Sequence, residues 1–79
     1  MEIEYKRNAV KYINSADKPT KKRLKTAIEK IPLGDIKKLT GLNNVYRLRV
    51  GNLRVLFSLE DEKIIINDIL PRGQAYKKL

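Results

Sequence analysis

The sequence predicts a two-layer α+β domain in which an antiparallel sheet carries two helices on one face. Three observations predict it. Residues 45–57 alternate apolar and basic side chains on both sides of a Gly-Asn pair, which is typical of a β-hairpin. Residues 18–31 place apolar side chains at helical spacing. The isoleucine-rich run 63–70 is almost continuously apolar, which predicts a strand in the interior of the sheet.

The chain begins with a predicted strand and two predicted helices. Residues 1–6 alternate apolar and charged side chains, as a short strand does, and residues 7–14 have the spacing of a short helix. Ser15 or Asp17 can cap the second helix, which tolerates Pro19 in its first turn. We therefore expect both helices to precede the hairpin and to cover the aliphatic side of the sheet.

The second half of the chain is predicted to be mainly sheet. Pro32 ends the second helix, and residues 34–42 form a loop or a short extended segment. Residues 60–62 make a polar turn, Pro71 ends the last strand, and residues 73–78 form a short terminal helix or a tail. The predicted order is thus β-α-α-β-β-β with an optional final helix, and its last three strands form an antiparallel meander.

Composition narrows the possible functions. A length of 79 residues fits one domain spanning 1–79. The chain has no cysteine and no histidine, which removes thiolate chemistry and the commonest general base and metal ligand. We expect no metal or other cofactor. No apolar run is long enough to span a membrane, and the first four residues lack the features of a signal peptide, so we expect a cytoplasmic protein without membrane contact.

The basic side chains predict an anionic partner. The net charge is +9, and Arg47, Arg49 and Arg54 fall on the polar side of the hairpin. Side chains two residues apart on a strand lie about 6–7 Å apart, close to the spacing of phosphates along a nucleic-acid strand. RNA also carries its own nucleophile, so a protein that positions the 2′-hydroxyl and neutralises the charge of the phosphorane could cleave RNA without a metal or a histidine. The residues alone favour plain binding over cleavage, and an acidic protein remains a second possible partner.

Three segments of the chain resemble the RelE/ParE superfamily of bacterial type II toxins, and most of all its RelE-like branch. They are Gly34 to Leu39, Tyr46 to Leu56, and Ile69 to Tyr76. The resemblance implies an mRNA interferase, which is an endoribonuclease that enters the ribosomal A site and cuts the message there without a metal. It also implies inhibition by a cognate antitoxin, which we expect to present an acidic or amphipathic segment.

The resemblance assigns roles to residues of this chain by position. Arg47 and Arg49 would hold and orient the message backbone, and Arg54 would stabilise the transition-state phosphate. Arg72 would protonate the 5′-oxygen leaving group. Tyr76 would stack on a base and take the proton of the 2′-hydroxyl.

Lys37 and Lys38 would contact the message backbone or ribosomal RNA. Two positions depart from the family pattern. Leu53 stands where many relatives have an aromatic residue, and Pro71 stands where many have a histidine or a second basic residue. Because arginine is a poor proton donor near neutral pH, an electrostatic role for Arg72 remains an alternative.

Two other functions remain open. The ParE branch of the superfamily poisons DNA gyrase, but it generally lacks the arginine and tyrosine near the C-terminus. Arg72 and Tyr76 therefore favour RNA as the target. The second alternative is a protein that binds RNA or the ribosome without cutting the message.

Overall fold

A computed structural model describes residues 2–39, 41 and 44–71. This part of the chain forms five strands and two helices. In chain order they are β1 (Glu2–Tyr5), α1 (Arg7–Ser15), α2 (Lys18–Glu29), β2 (Asp35–Lys38), β3 (Val45–Val50), β4 (Leu53–Glu60) and β5 (Lys63–Pro71). The α+β class is confirmed, with both helices on one face of the sheet. The terminal helix predicted for residues 73–78 lies outside the described residues.

The five strands form one sheet in the order β1-β5-β4-β3-β2. Strands β3, β4 and β5 make the predicted antiparallel meander. The first strand lies at the far edge and pairs parallel with β5, so the sheet is mixed and the prediction of a wholly antiparallel sheet was wrong. Strand β5 therefore lies between two neighbours, which explains why its sequence is nearly continuously apolar.

The sheet has five strands, whereas the predicted order contained four. The strand that the prediction lacked is β2. The segment that follows Gly34 pairs antiparallel with β3, from Asp35 opposite Arg49 to Lys38 opposite Tyr46. Its alternation is too short to distinguish from a loop in the sequence, since Ile36 is its only apolar residue. The strand lies at the edge of the sheet, where charged side chains are favoured because they discourage pairing with other chains.

Local chemistry explains where the second helix and the hairpin begin. Asp17 caps α2 by accepting a hydrogen bond from the backbone N–H of Thr20 at 3.0 Å, as predicted. In the β3–β4 hairpin, Gly51 has a φ of +58°, a conformation that glycine adopts without steric strain. No helix within the described ranges is long and apolar enough to cross a membrane.

The main core lies between the helices and one face of the sheet. Leu24 and Ile28 of α2 pack against strand residues such as Leu48 and Phe57. The rings of Tyr46 and Phe57 stack with centroids 5.5 Å apart, so the partly buried Tyr46 packs against the core. Neither α1 nor α2 covers the opposite face of the sheet.

That opposite face is less polar than the sequence predicts. Leu39, Leu56 and Leu70 are buried there in a second, smaller cluster, with Val45 packed against it. Side chains alternate between the two faces along each strand, and these residues lie on the same face as the arginines, away from the helices. The face is therefore a mixture of cations and buried aliphatic side chains, and the cations lie in a less polar environment than a fully solvated surface.

Candidate nucleic-acid interface

Three arginines and one lysine lie on the face of the sheet that the helices do not cover. We call this set, Lys37, Arg47, Arg49 and Arg54, the arginine face. Strand alternation places it there, because the intervening residues of β3 and β4 point into the helix-facing core. Pairing then aligns the side chains across strands. Lys37 lies opposite Arg47, and Arg49 lies opposite Arg54. Cations from three adjacent strands thus meet in one region.

The arginines differ in exposure. Arg47 and Arg54 are only 6% and 4% exposed, whereas Arg49 is an exposed residue. The Nε atoms of Arg47 and Arg54 are buried and have no hydrogen-bond partner among the residues that the structure describes. An unsatisfied buried donor costs free energy, so these two guanidinium groups are poorly explained by stability alone. An anion brought to the face would find donors already desolvated.

Strand pairing adds a repulsive contact to this region. Arg49 and Arg54 are direct register partners on β3 and β4. Like charges in directly opposed positions destabilise a sheet. The hydrogen bond that the structure describes for Arg54 offsets little of this repulsion. Its Nη1 donates to the carbonyl oxygen of Leu53 at 3.3 Å, which is long for such a bond. A phosphate between the two arginines would relieve their repulsion.

Two carboxylates share the face with these cations. Asp35 on β2 lies within 3.5 Å of Nη1 of Arg47 and 3.7 Å of Nε of Arg49, through different carboxylate oxygens. Asp68 on β5 lies opposite Leu56 and accepts a hydrogen bond from the backbone N–H of Ile69 at 2.8 Å. The Asp35 side chain is 56% exposed, so its ion pairs contribute little to stability and act mainly on side-chain geometry.

The residues assigned from the sequence fall into three groups. Arg47, Arg49, Arg54 and Lys37 come together on the arginine face. Lys38 is exposed, but it lies opposite Tyr46 and so belongs to the helix-facing side of β2. Arg72 and Tyr76 lie outside the described residues. Within the described residues, β5 pairs Leu70 with Arg54 and ends at Pro71, which pairs with Leu53.

Sequence reasoning missed Asp35 as a member of the site. Its signal was its position two residues before Lys37, a spacing that puts both side chains on one face of a strand. Within the described ranges, no group of three or more acidic residues comes together in a way that could hold a metal ion. The charge that the face offers to a ligand is thus carried by arginine and lysine.

Comparison with known proteins gives the family. The family described as "ParE toxin of type II toxin-antitoxin system, parDE" matches residues 3–76. Toxin RelE3 of Methanocaldococcus jannaschii is 31% identical over 84 aligned positions, which cover 96% of each chain. A putative toxin RelE1 of the same organism is 47% identical over 45 positions, covering 54% of this chain and 50% of that protein.

Solved structures agree with the sequence matches. The toxin fold in a RelB–RelE antitoxin–toxin complex from Methanococcus jannaschii has a TM-score of 0.78 at 30% identity, over 96% of this chain and 98% of that one. An archaeal RelE–RelB complex from Pyrococcus horikoshii has a TM-score of 0.74 at 28% identity, over 92% and 96%. Fold, sequence and relatives therefore define a toxin of a type II toxin–antitoxin system. Within that class, the chain belongs to the RelE/ParE superfamily as a RelE-like toxin.

Proposed function

We propose that this toxin is a ribosome-dependent endoribonuclease that cuts mRNA in the A site by attack of the 2′-hydroxyl, without a metal. The observation that supports this most is the arginine face, where cations from β2, β3 and β4 are aligned by strand pairing. A message bound to ribosomes is present in the cytoplasm, where the toxin would act. The proposal assigns message binding to the arginine face, with Lys38 as a further contact at the sheet edge.

Burial supports a catalytic role for Arg54. A guanidinium that is almost wholly buried has already lost its rotamer freedom, so less entropy is lost when it engages a phosphate. The Arg54 donors also act where water is scarce, and electrostatic stabilisation of a developing charge is greatest in such surroundings. Arg47 shares this burial, while the exposed Arg49 is suited to meet the RNA backbone first.

The proposed reaction is a single phosphoryl transfer within the RNA. The 2′-oxygen loses its proton and forms a bond to phosphorus, the bond from phosphorus to the 5′-oxygen breaks, and the leaving oxygen gains a proton. The products are a 2′,3′-cyclic phosphate and a free 5′-hydroxyl. Arg54 stabilises the negative charge of the transition state. We assign the proton from the 2′-hydroxyl to the phenolate of Tyr76. The leaving 5′-oxygen takes its proton from Arg72 or, where Arg72 acts only electrostatically, from water.

Cleavage of a ribosome-bound message by the purified full chain tests the proposal. Arg49→Ala removes the exposed cation of the arginine face, and Arg7→Ala removes an exposed arginine of α1 as a charge-matched control. We expect codon-internal cuts with the parent and with Arg7→Ala, and slower cutting with Arg49→Ala. The dependence of RNA binding on salt should also weaken, with the log–log slope falling by roughly 0.7 for one lost phosphate contact on a single strand. Equal cutting by the two variants would contradict the role given to this face.

A gyrase-directed activity is the second candidate, because the matching family is described as the ParE toxin. Induction of the chain in cells separates the two. Rapid translation arrest with message cut inside codons supports the endoribonuclease, whereas DNA-damage signalling with intact message supports a gyrase poison. Binding to ribosomes with intact message would instead identify a non-catalytic binder.

We also propose that a cognate antitoxin holds this toxin through an acidic, amphipathic segment. The RelB–RelE complexes of the relatives support the idea of such a partner. A groove of about 530 Å³ between α2 and the β2–β3 edge offers a suitable surface. Leu48 contributes to its apolar lining, Lys22, Lys30 and Arg49 provide positive charge, and Leu33 beside them is 71% exposed.

Two exposed apolar residues provide a matched test of that groove. Leu33 lines the groove, whereas Val10 lies on α1 and is exposed elsewhere. Leu33→Asp should weaken the complex with the co-expressed antitoxin, because a carboxylate replaces an apolar contact and opposes an acidic partner. Val10→Asp should leave affinity unchanged in a calorimetric titration. Equal affinities for both variants would contradict docking in this groove.

A further inference from the structure

The position of Asp35 gives the arginine face an internal anion. Its carboxylate contacts Arg47 and Arg49 through different oxygens, at 3.5 and 3.7 Å. Asp35 is also the direct register partner of Arg49 across β2 and β3. The carboxylate thus lies where a phosphate of the RNA backbone would find the same two guanidinium groups.

Arg49 is held between opposite forces. On β2 it faces Asp35, and on β4 it faces Arg54. Attraction by the carboxylate and repulsion by the second arginine both draw its guanidinium toward β2. The Arg49 side chain is 51% exposed, so packing restrains it far less than the buried Arg47. Without the carboxylate, the long side chain of Arg49 could adopt many rotamers.

We propose that Asp35 is a positioning residue that holds Arg49, and with it Arg47, in the geometry needed for cleavage, while competing with RNA phosphate for both arginines. This inference rests on the proposed nuclease function. It predicts opposite effects on two measurable quantities. Without the carboxylate, RNA binds as tightly as before or more tightly, because a competing anion is gone. Cleavage slows, because a misplaced positioning group lowers the rate even when binding is intact.

A matched pair of substitutions tests the proposal in the full chain. Asp35→Asn removes the carboxylate from the arginine face and keeps the size of the side chain. Asp61→Asn makes the same chemical change and the same change of net charge in the β4–β5 turn, where Asp61 is exposed and has a φ of +45° that asparagine tolerates. Asp35→Glu restores the charge on a longer arm.

The measurements are single-turnover cleavage of a ribosome-bound message and binding of the same message with a 2′-deoxy nucleotide at the scissile position. We expect Asp35→Asn to cut roughly 10- to 100-fold more slowly with unchanged or tighter binding. Asp61→Asn should match the parent, and Asp35→Glu should recover part of the rate. Identical behaviour of the two Asn variants, or a proportional loss of binding and cleavage in Asp35→Asn, would overturn the proposal.

A third readout separates this inference from the proposed function. The Nε–Hε resonance of Arg49 in an NMR spectrum reports its ion pair whether or not RNA is cut. We expect it to shift in Asp35→Asn and to stay unchanged in Asp61→Asn. An unshifted resonance overturns the positioning role. A parent that cuts no ribosome-bound message refutes the nuclease, and the NMR and binding results still decide whether Asp35 holds Arg49 and competes with phosphate.

Discussion

Replacing Arg54 by methionine should raise the free energy of unfolding and slow the proposed message cleavage. Arg54 is buried, its Nε has no hydrogen-bond partner within the described part of the chain, and its register partner is Arg49. Methionine keeps the unbranched apolar stem that packs in the sheet and removes the charge. Because the folded state no longer buries an imperfectly satisfied cation, the free energy of unfolding should increase.

The structure sets the size of this effect. An unsatisfied buried donor costs about 1–3 kcal/mol, and a like-charge pair in directly opposed positions costs roughly 0.2–1 kcal/mol. Against this stands the loss of one hydrogen bond from Arg54 to the carbonyl of Leu53, whose 3.3 Å length is long for such a bond. That loss is worth about 1 kcal/mol. We expect a net gain of about 1 kcal/mol, which raises the melting temperature by roughly 4–8 °C in a domain of this size.

The same substitution should lower the rate of message cleavage by roughly 10²–10³-fold, the usual effect of deleting one donor to a developing negative charge. Thermal unfolding followed by circular dichroism and single-turnover cleavage provide the two readouts. Arg7→Met is the control, since this arginine is exposed on α1 and neither quantity should change appreciably. A lower melting temperature for Arg54→Met would contradict the cost assigned to burying this cation, and a rate within threefold of the parent would contradict its role at the phosphate.

Three further predictions concern the scaffold. Asp17→Ala should reduce the free energy of unfolding by about 1 kcal/mol, because α2 loses its cap, and a urea titration of both chains would show no difference if the cap were unimportant. Phe57→Ala should cost about 3–5 kcal/mol in the same titration, since the ring is buried against Tyr46; a cost below 1 kcal/mol would contradict its central place. The hydrogen bond and charge of Lys63 hold the pKa of Glu4 below its usual 4.5, so this pair stabilises the fold above that pH and the contribution is lost as pH falls through the lower folded value. Glu4→Gln should therefore make the melting temperature fall less steeply below pH 4.5. If the melting temperature of the variant fell as steeply as that of the parent, the ion pair would not stabilise the fold.

Much of the fold could be predicted because its local signals agree with one another. The hairpin has its alternation and its Gly51 turn, and α2 has both an apolar stripe and the Asp17 cap. Strand β2 could not be predicted with the same certainty. Its four residues carry too little periodicity, and it is a strand only because the edge of β3 is available for pairing.

The candidate site, like the fold, could be predicted from the sequence only in part. Alternation alone placed Arg47, Arg49 and Arg54 on one face, but it could not reveal that two of them are buried. Burial depends on side chains distant in the sequence, including the cluster around Leu56. Asp35 escaped prediction because its partners lie 12 and 14 residues away in sequence and meet it only through strand pairing.

The end groups of a cut message show directly whether the 2′-hydroxyl is the nucleophile. Ribosomes carrying one defined message would be incubated with the full chain, once with an all-RNA message and once with a single 2′-deoxy nucleotide at the mapped cut site. We expect a 2′,3′-cyclic phosphate and a 5′-hydroxyl from the all-RNA message, and no cut at the substituted position. Cleavage at the 2′-deoxy position, or an all-RNA message that stays intact on ribosomes bound by the chain, would contradict it.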